Sequence, residues 1–192
     1  MPTNKDRLYI ALYARGGAPT MPDKEDTYHW ALLVGPKDEV ENGIGMRYHA
    51  KERITGPNMS AWLFEEMETS LSATSMLLVR VMIAKVEKKD RLVPVVRNTL
   101  IRQGVAGWNC VGWAQEALQG LEADGKALGT GVTEWAKIKS TAMEYCERNE
   151  EHRFDGQGNY DMTKVPTYDL IQGKEVIACC NVEKRVLRQS LF

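Results

Sequence analysis

Long apolar runs are missing from this sequence. A membrane helix needs ~18 consecutive apolar residues. The nearest candidate, MLLVRVMIAKV at Met76 to Val86, is interrupted by Arg80 and Lys85 and reads as a buried strand. The N-terminal stretch MPTNKDRLYIALYARGG is apolar only from Leu8 to Ala14, too short for a secretory signal. A surplus of either charge is missing too, since 25 Lys and Arg face 26 Asp and Glu. With no basic tract, the chain shows no electrostatic footprint for nucleic acid or an anionic membrane surface. Paired cysteine spacings are also absent: Cys110, Cys146, Cys179 and Cys180 form no C-x-x-C and no zinc-ribbon pattern. These absences predict a chain without a transmembrane segment or a nucleic-acid partner, working in the reducing cytoplasm.

What is present suits one globular domain over residues 1–192. The hydrophobic fraction is 43% and the charged fraction 27%, ordinary for such a domain, and the length allows a sizeable core. In RLYIALYA (Arg7 to Ala14), Leu8, Ile10 and Leu12 alternate with Tyr9, Ala11 and Tyr13, the period of a strand. TYHWALLVG, with a hairpin signal at Asn42-Gly43, then MRYHAKERI, WLFEEMETSL and MLLVRVMIAKVEK predict four more.

The second half reads as helical. DRLVPVVRNTLIRQG runs from a capping Asp90 to Gly104, and Pro94 is tolerable there only in the first turn. NCVGWAQEALQGL has Asn109 at the N-cap, with Cys110, Ala114, Ala117, Leu118 and Leu121 at helical spacing. TEWAKIKSTAMEYCERN is a further helix with Thr133 as cap. EEHRFDGQGNYDMTKVP is expected to be a loop, and YDLIQGKEVIACCNV is ambiguous between strand and short helix. The fold class is α+β: an antiparallel sheet of about five strands with packed helices.

Histidine is scarce, with three in the chain. His29 opens an apolar strand, where a buried imidazole must find partners. His49 lies on the following strand, and His152 falls in the charged stretch ERNEEHRFD, expected to be solvated. Cys110 stands in the first turn of a helix, where the dipole and free N–H groups favour thiolate. The same N–H groups can stabilise an oxyanion. A thiol nucleophile needs a base, and His29 with His49 as its orienting partner can supply one. Two His and one Cys could also hold zinc, but no short ligand-pair spacing is present, so no metal or cofactor is expected. The bland alternatives are a buried structural thiol at Cys110, an imidazole bonded to backbone at His29 and a surface residue at His49. Glu65, Glu66 and Glu68 in FEEMETS read as a solvated strand face.

YHWALLVG, RYHAKE and NCVGWAQEAL, in that order, resemble the His, His, Asn-Cys signature of the lecithin:retinol acyltransferase-like proteins, circularly permuted relatives of the NlpC-type papain-like enzymes. The resemblance runs from Asp26 to Leu121. It implies a circularly permuted papain-like arrangement and a cysteine-dependent acyl-transfer enzyme, a hydrolase or an acyltransferase. Cys110 would be the nucleophile, His29 its base and His49 the orienting residue. The substrate would be a small-molecule, lipid or peptide ester, thioester or amide, with Trp108, Trp30 and Tyr28 as cleft walls. The competing class is a non-catalytic binding or regulatory module on the same fold. An active dyad predicts Cys110 Sγ about 3–4 Å from a His29 ring nitrogen, and faster alkylation of Cys110 than of the other cysteines.

Overall fold

In the computed structural model, residues 5–37, 43–74, 76–154 and 165–177 are described. Strand β1 (Arg7–Ala14) pairs antiparallel with β2 (Tyr28–Gly35), in register from Arg7 opposite Gly35 to Ala14 opposite Tyr28. A long hairpin follows, β3 (Ile44–Gly56) and β4 (Met59–Ser70), turning through Asn58 at φ 54°. Asn tolerates this left-handed conformation better than most residues do. Strand β5 (Leu77–Val86) returns beside β1. The Asn42 half of the expected hairpin signal, and Cys179 and Cys180, lie outside the described residues.

Three short strands complete the sheet: β6 (Leu128–Gly131), β7 (Thr167–Asp169) and β8 (Lys174–Ile177). The order is β4-β3-β2-β1-β5-β7-β8, with β6 also paired to β5. Because β7 runs parallel to β5, the eight-stranded sheet is mixed rather than antiparallel throughout. Strands of three or four residues carry too little alternation to be read from sequence.

Helix α1 (Lys89–Arg97) stops well short of Gly104. Pro94 lies inside it rather than in the first turn, and a proline has no N–H for the Asp90 carbonyl four residues back. Asn98 closes the last turn by donating to the Pro94 carbonyl, and residues 98–109 continue as an irregular segment. Helix α2 (Cys110–Asp124) ends on Gly125 at φ 64°, a left-handed C-cap. Helix α3 (Trp135–Phe154) begins after Thr133, whose hydroxyl donates to Glu122 Oε1 at 2.9 Å instead of capping. It also continues through His152, where a loop was expected. The Glu- and Arg-rich ERNEEHR is polar, but those residues favour helix.

Alternation along the strands builds two cores. Leu8, Ile10, Leu12, Tyr28, Trp30 and Leu32 face α2 and α3, whereas Tyr9, Ala11, Tyr13, Ala31 and Leu33 form a smaller cluster with Leu71 and Leu77. Trp30 and Trp113 are the largest fully buried side chains of the helix side. Each buried apolar side chain of this size contributes ~1.5–3 kcal/mol. Among the described residues no helix is long and apolar enough to cross a membrane.

Candidate active site

Backbone pairing between β2 and β3 is confined to Leu32–Tyr48, Leu33–Arg47 and Val34–Met46. His29 and His49 lie beyond the end of that ladder, each held from its other side. His29 is opposite Tyr13 on β1, and His49 is opposite Glu65 on β4. Across the unpaired gap His29 Nε2 meets His49 Nδ1 at 2.5 Å, and His49 Nε2 meets Glu65 Oε2 at 2.7 Å.

This chain of contacts fixes where each proton sits. A carboxylate only accepts, so His49 Nε2 carries the hydrogen it donates to Glu65. His49 Nδ1 is then a lone pair, and it accepts from His29 Nε2–H. His29 Nδ1 is left unprotonated, as a base requires. Burial draws His29 from 6.5 down to about 3, helped by His49, Arg47 and Arg15 and opposed by Glu65. Burial, then Arg47, brings His49 down to about 4, against the pull of Glu65. Both rings are neutral near pH 7. Burial raises the Glu65 carboxyl, but hydrogen bonds from His49 and Lys51 outweigh it and hold the group below its ordinary value.

Glu65 is the residue that sequence reading missed. It alternates with other acids in FEEMETS and so resembles a solvated face. The turn at Pro57-Asn58 alone would place His49 opposite Glu66. A register shift between Ile54 and Gly56 moves the pairing by one residue and brings Glu65 opposite His49, and no motif in the sequence marks that shift.

Cys110 opens α2, and Asn109 is its N-cap: Asn109 Oδ1 accepts from the Val111 N–H at 2.9 Å. The thiol is completely buried in the helix-side core. Burial raises its pKa, while the backbone N–H of Trp30, the Arg15 charge and the N–H groups of Cys110 and Val111 pull it down. Burial wins, so the dipole of α2 does not leave a resting thiolate. The Trp30 N–H contact puts Cys110 against the helix face of β2, whereas His29, an odd position on that strand, turns to the face of Tyr13. Among the described residues no hydrogen bond joins Sγ to either imidazole. The structure thus brings His29 and His49 together and does not join Cys110 to them.

A cavity of about 390 Å³ is lined by His29 and His49 with Tyr13, Arg15, Arg47 and Trp62; Cys110 does not line it. A second, of about 660 Å³, lies at the start of α2, walled by Trp108, Val111, Gly112 and Trp135. Trp62 of the first and Trp108 of the second meet in a T-shaped contact with centroids 5.7 Å apart. Gly112 permits this arrangement, because a Cβ there would stand 3.2 Å from Trp108 Cδ1. Of the expected cleft walls, Trp108 does line a cavity. Trp30 and Tyr28 are core residues, and the Trp30 indole donates to the Glu25 carbonyl at 2.8 Å. Their even positions on β2 send them toward the helices.

Among the described residues no three His, Cys, Asp or Glu side chains group as metal ligands. The facing nitrogens of His29 and His49, 2.5 Å apart, leave no room between them for an ion that needs ~2.0 Å to each.

Residues 5–177 match a family of unknown function, DUF6914. The chain belongs to that family. No curated protein and no solved structure matches it.

Proposed function

We propose that the protein is a cysteine-dependent acyl-transfer enzyme, with His29 as the base and Cys110 as the nucleophile, on a permuted papain-like arrangement. The observation that carries this reading is the His29–His49–Glu65 relay, which leaves His29 Nδ1 unprotonated on a ring that lines a cavity. A merely structural histidine has no need of two further residues to set its tautomer.

In this reading Cys110 Sγ–H gives its proton to His29 Nδ1 as sulfur bonds to the carbonyl carbon. The carbonyl electron pair moves onto oxygen, where N–H groups at the start of α2 stabilise it. Collapse expels the leaving group, which takes the proton from His29, and water or an amine then attacks the thioacyl-enzyme. Thiol and imidazole would meet through the gap where the β2–β3 ladder ends. Near neutral pH the pair rests as thiol and neutral imidazole, so the proton moves only as the carbonyl is attacked.

One observation favours a second reading. Cys110 is sealed in the helix-side core and bonds to neither imidazole, which suits a binding module whose cavity takes a ligand without chemistry. Incubation with a generic acyl thioester separates the two. The enzyme reading expects a mass increase on Cys110 equal to the acyl group, lost in Cys110→Ala. His29→Ala should slow the acylation by ~10²–10⁴-fold. No adduct on the wild-type chain, or an adduct formed equally fast without His29, would leave the binding module as the function.

A further inference from the structure

Two buried hydrogen-bond donors in the wall of the histidine cavity lack an acceptor. They are Tyr13 Oη and Arg47 Nε. The two side chains are in contact, with the Arg47 guanidinium 5.0 Å from the centroid of the Tyr13 ring and donating toward the Tyr13 oxygen, so that what the hydroxyl lacks is an acceptor for its own hydrogen. Arg47 Nη2 turns the other way, to the Met67 thioether at 2.7 Å and the Glu65 carboxylate at 3.7 Å. Arg47 therefore holds its place while its Nε–H stays unspent. A donor removed from water with nothing to donate to is destabilising, and native structures keep few of them.

The charge around these donors has one sign in excess. Arg15, Arg47 and Lys51 line the cavity with Glu52, and Glu65 behind His49 pairs with Lys51 at 3.1 Å, which leaves one positive charge in excess, since both imidazoles there are neutral near pH 7. Arg15 is tethered through Nη1 to the Asp26 carbonyl at 3.0 Å and reaches Glu52 only at 3.9 Å. At about 390 Å³ the space falls in the range of small-ligand sites.

We propose that this cavity recognises an oxyanion, a carboxylate or phosphate carried by the ligand. Its oxygens accept from Tyr13 Oη–H and Arg47 Nε–H, and Arg15 and Lys51 supply the surrounding positive field. The inference deepens the acyl-transfer reading by naming its substrate class, and rests on that reading only in taking the ligand to be a substrate. The acyl compound would carry an acidic group that docks at Arg47 and Tyr13.

The test is a titration of the full chain with succinate and with inorganic phosphate, following the ring resonances of His29 and His49 by NMR. Butane-1,4-diol serves as the uncharged control. Saturable shifts with succinate or phosphate, and none with the diol, are expected, and the tighter anion identifies the oxyanion type. Tyr13→Phe removes only the hydroxyl and should weaken binding about fivefold. Arg47→Gln should weaken it about tenfold or more. Tyr13→Phe keeps the ring under the guanidinium, so it remains informative if Arg47→Gln fails to fold. No saturable shift with either anion, or an unchanged affinity in Tyr13→Phe, overturns the proposal. The titration involves no acyl chemistry, so a failed thiol reading and a failed oxyanion site give different results.

Discussion

Cys110 and His49 are both almost fully buried, at 0% and 3% exposure, yet the fold treats them in opposite ways. His49 has a side-chain partner on each ring nitrogen and faces a cavity. Cys110 sits among apolar side chains, its hydrogen-bonding neighbours are backbone N–H groups, and it does not line the histidine cavity. Burial moves both groups toward their neutral forms, the imidazole down and the thiol up. The difference lies in what else is there. A buried group keeps its chemistry when its partners hold it in one protonation state and leave a route to ligand. Without such partners in the resting chain, its chemistry depends on a rearrangement that brings them to it.

The sharpest way to break this contrast is to open the apolar side. Trp113→Ala removes a fully buried indole one turn along α2 from Cys110, at a cost of about 3–5 kcal/mol. Urea unfolding would measure that loss. Alkylation of Cys110 by iodoacetamide, slow in the wild type because the thiol is sealed, should speed up in the variant. Equal labelling rates in the two proteins would mean that something other than the core shields the sulfur.

Acidification probes the polar side. The folded chain holds His29 at about 3 and His49 at about 4, below the ordinary 6.5. From pH 6.5 down to about 4 the unfolded chain therefore binds more protons than the folded one. Stability rises with pH across that window and is lost on acidification. Urea midpoints measured between pH 7.5 and 4.5 should show this slope, and His29→Gln should flatten it. Parallel slopes in the two proteins would place the acid sensitivity elsewhere.

The smallest effect belongs to the junction of the two regions. Asn109→Ala should cost about 1 kcal/mol, and Asn109→Asp almost nothing, because either oxygen can cap α2. Thermal melts would show it. An equal loss in both variants would mean that the amide, rather than its oxygen, holds the turn.

Much of this geometry was legible in the residues. Alternation in RLYIALYA marks β1 from Arg7 to Ala14, and Asn109 before a helical pattern marks both the cap and the start of α2. Pairing His29 with His49 needed only two neighbouring strands. The rest depended on distances that no single segment contains. Glu65 joins the relay through hairpin register, and Arg47 meets Tyr13 because β1 and β3 flank β2 on the same face. Burial of Cys110 depends on how the start of α2 packs against β2 in the helix-side core, which no local periodicity encodes. Polarity misled at His152, because a polar helix and a loop share composition.

That irregular segment has a second consequence, for behaviour in concentrated solution. Gln103 gives its side-chain amide to the backbone of Trp62 in both directions, accepting from the N–H at 3.0 Å and donating to the carbonyl at 2.6 Å. For the length of one residue it imitates a neighbouring strand. The imitation falls on β4, the outermost strand of the sheet, on a hairpin where Ile54, Met59, Leu63 and Met67 are exposed. An open edge beside apolar side chains is a template on which another molecule can add a strand and begin to aggregate. By occupying the Trp62 position, Gln103 guards the margin of the sheet against self-association.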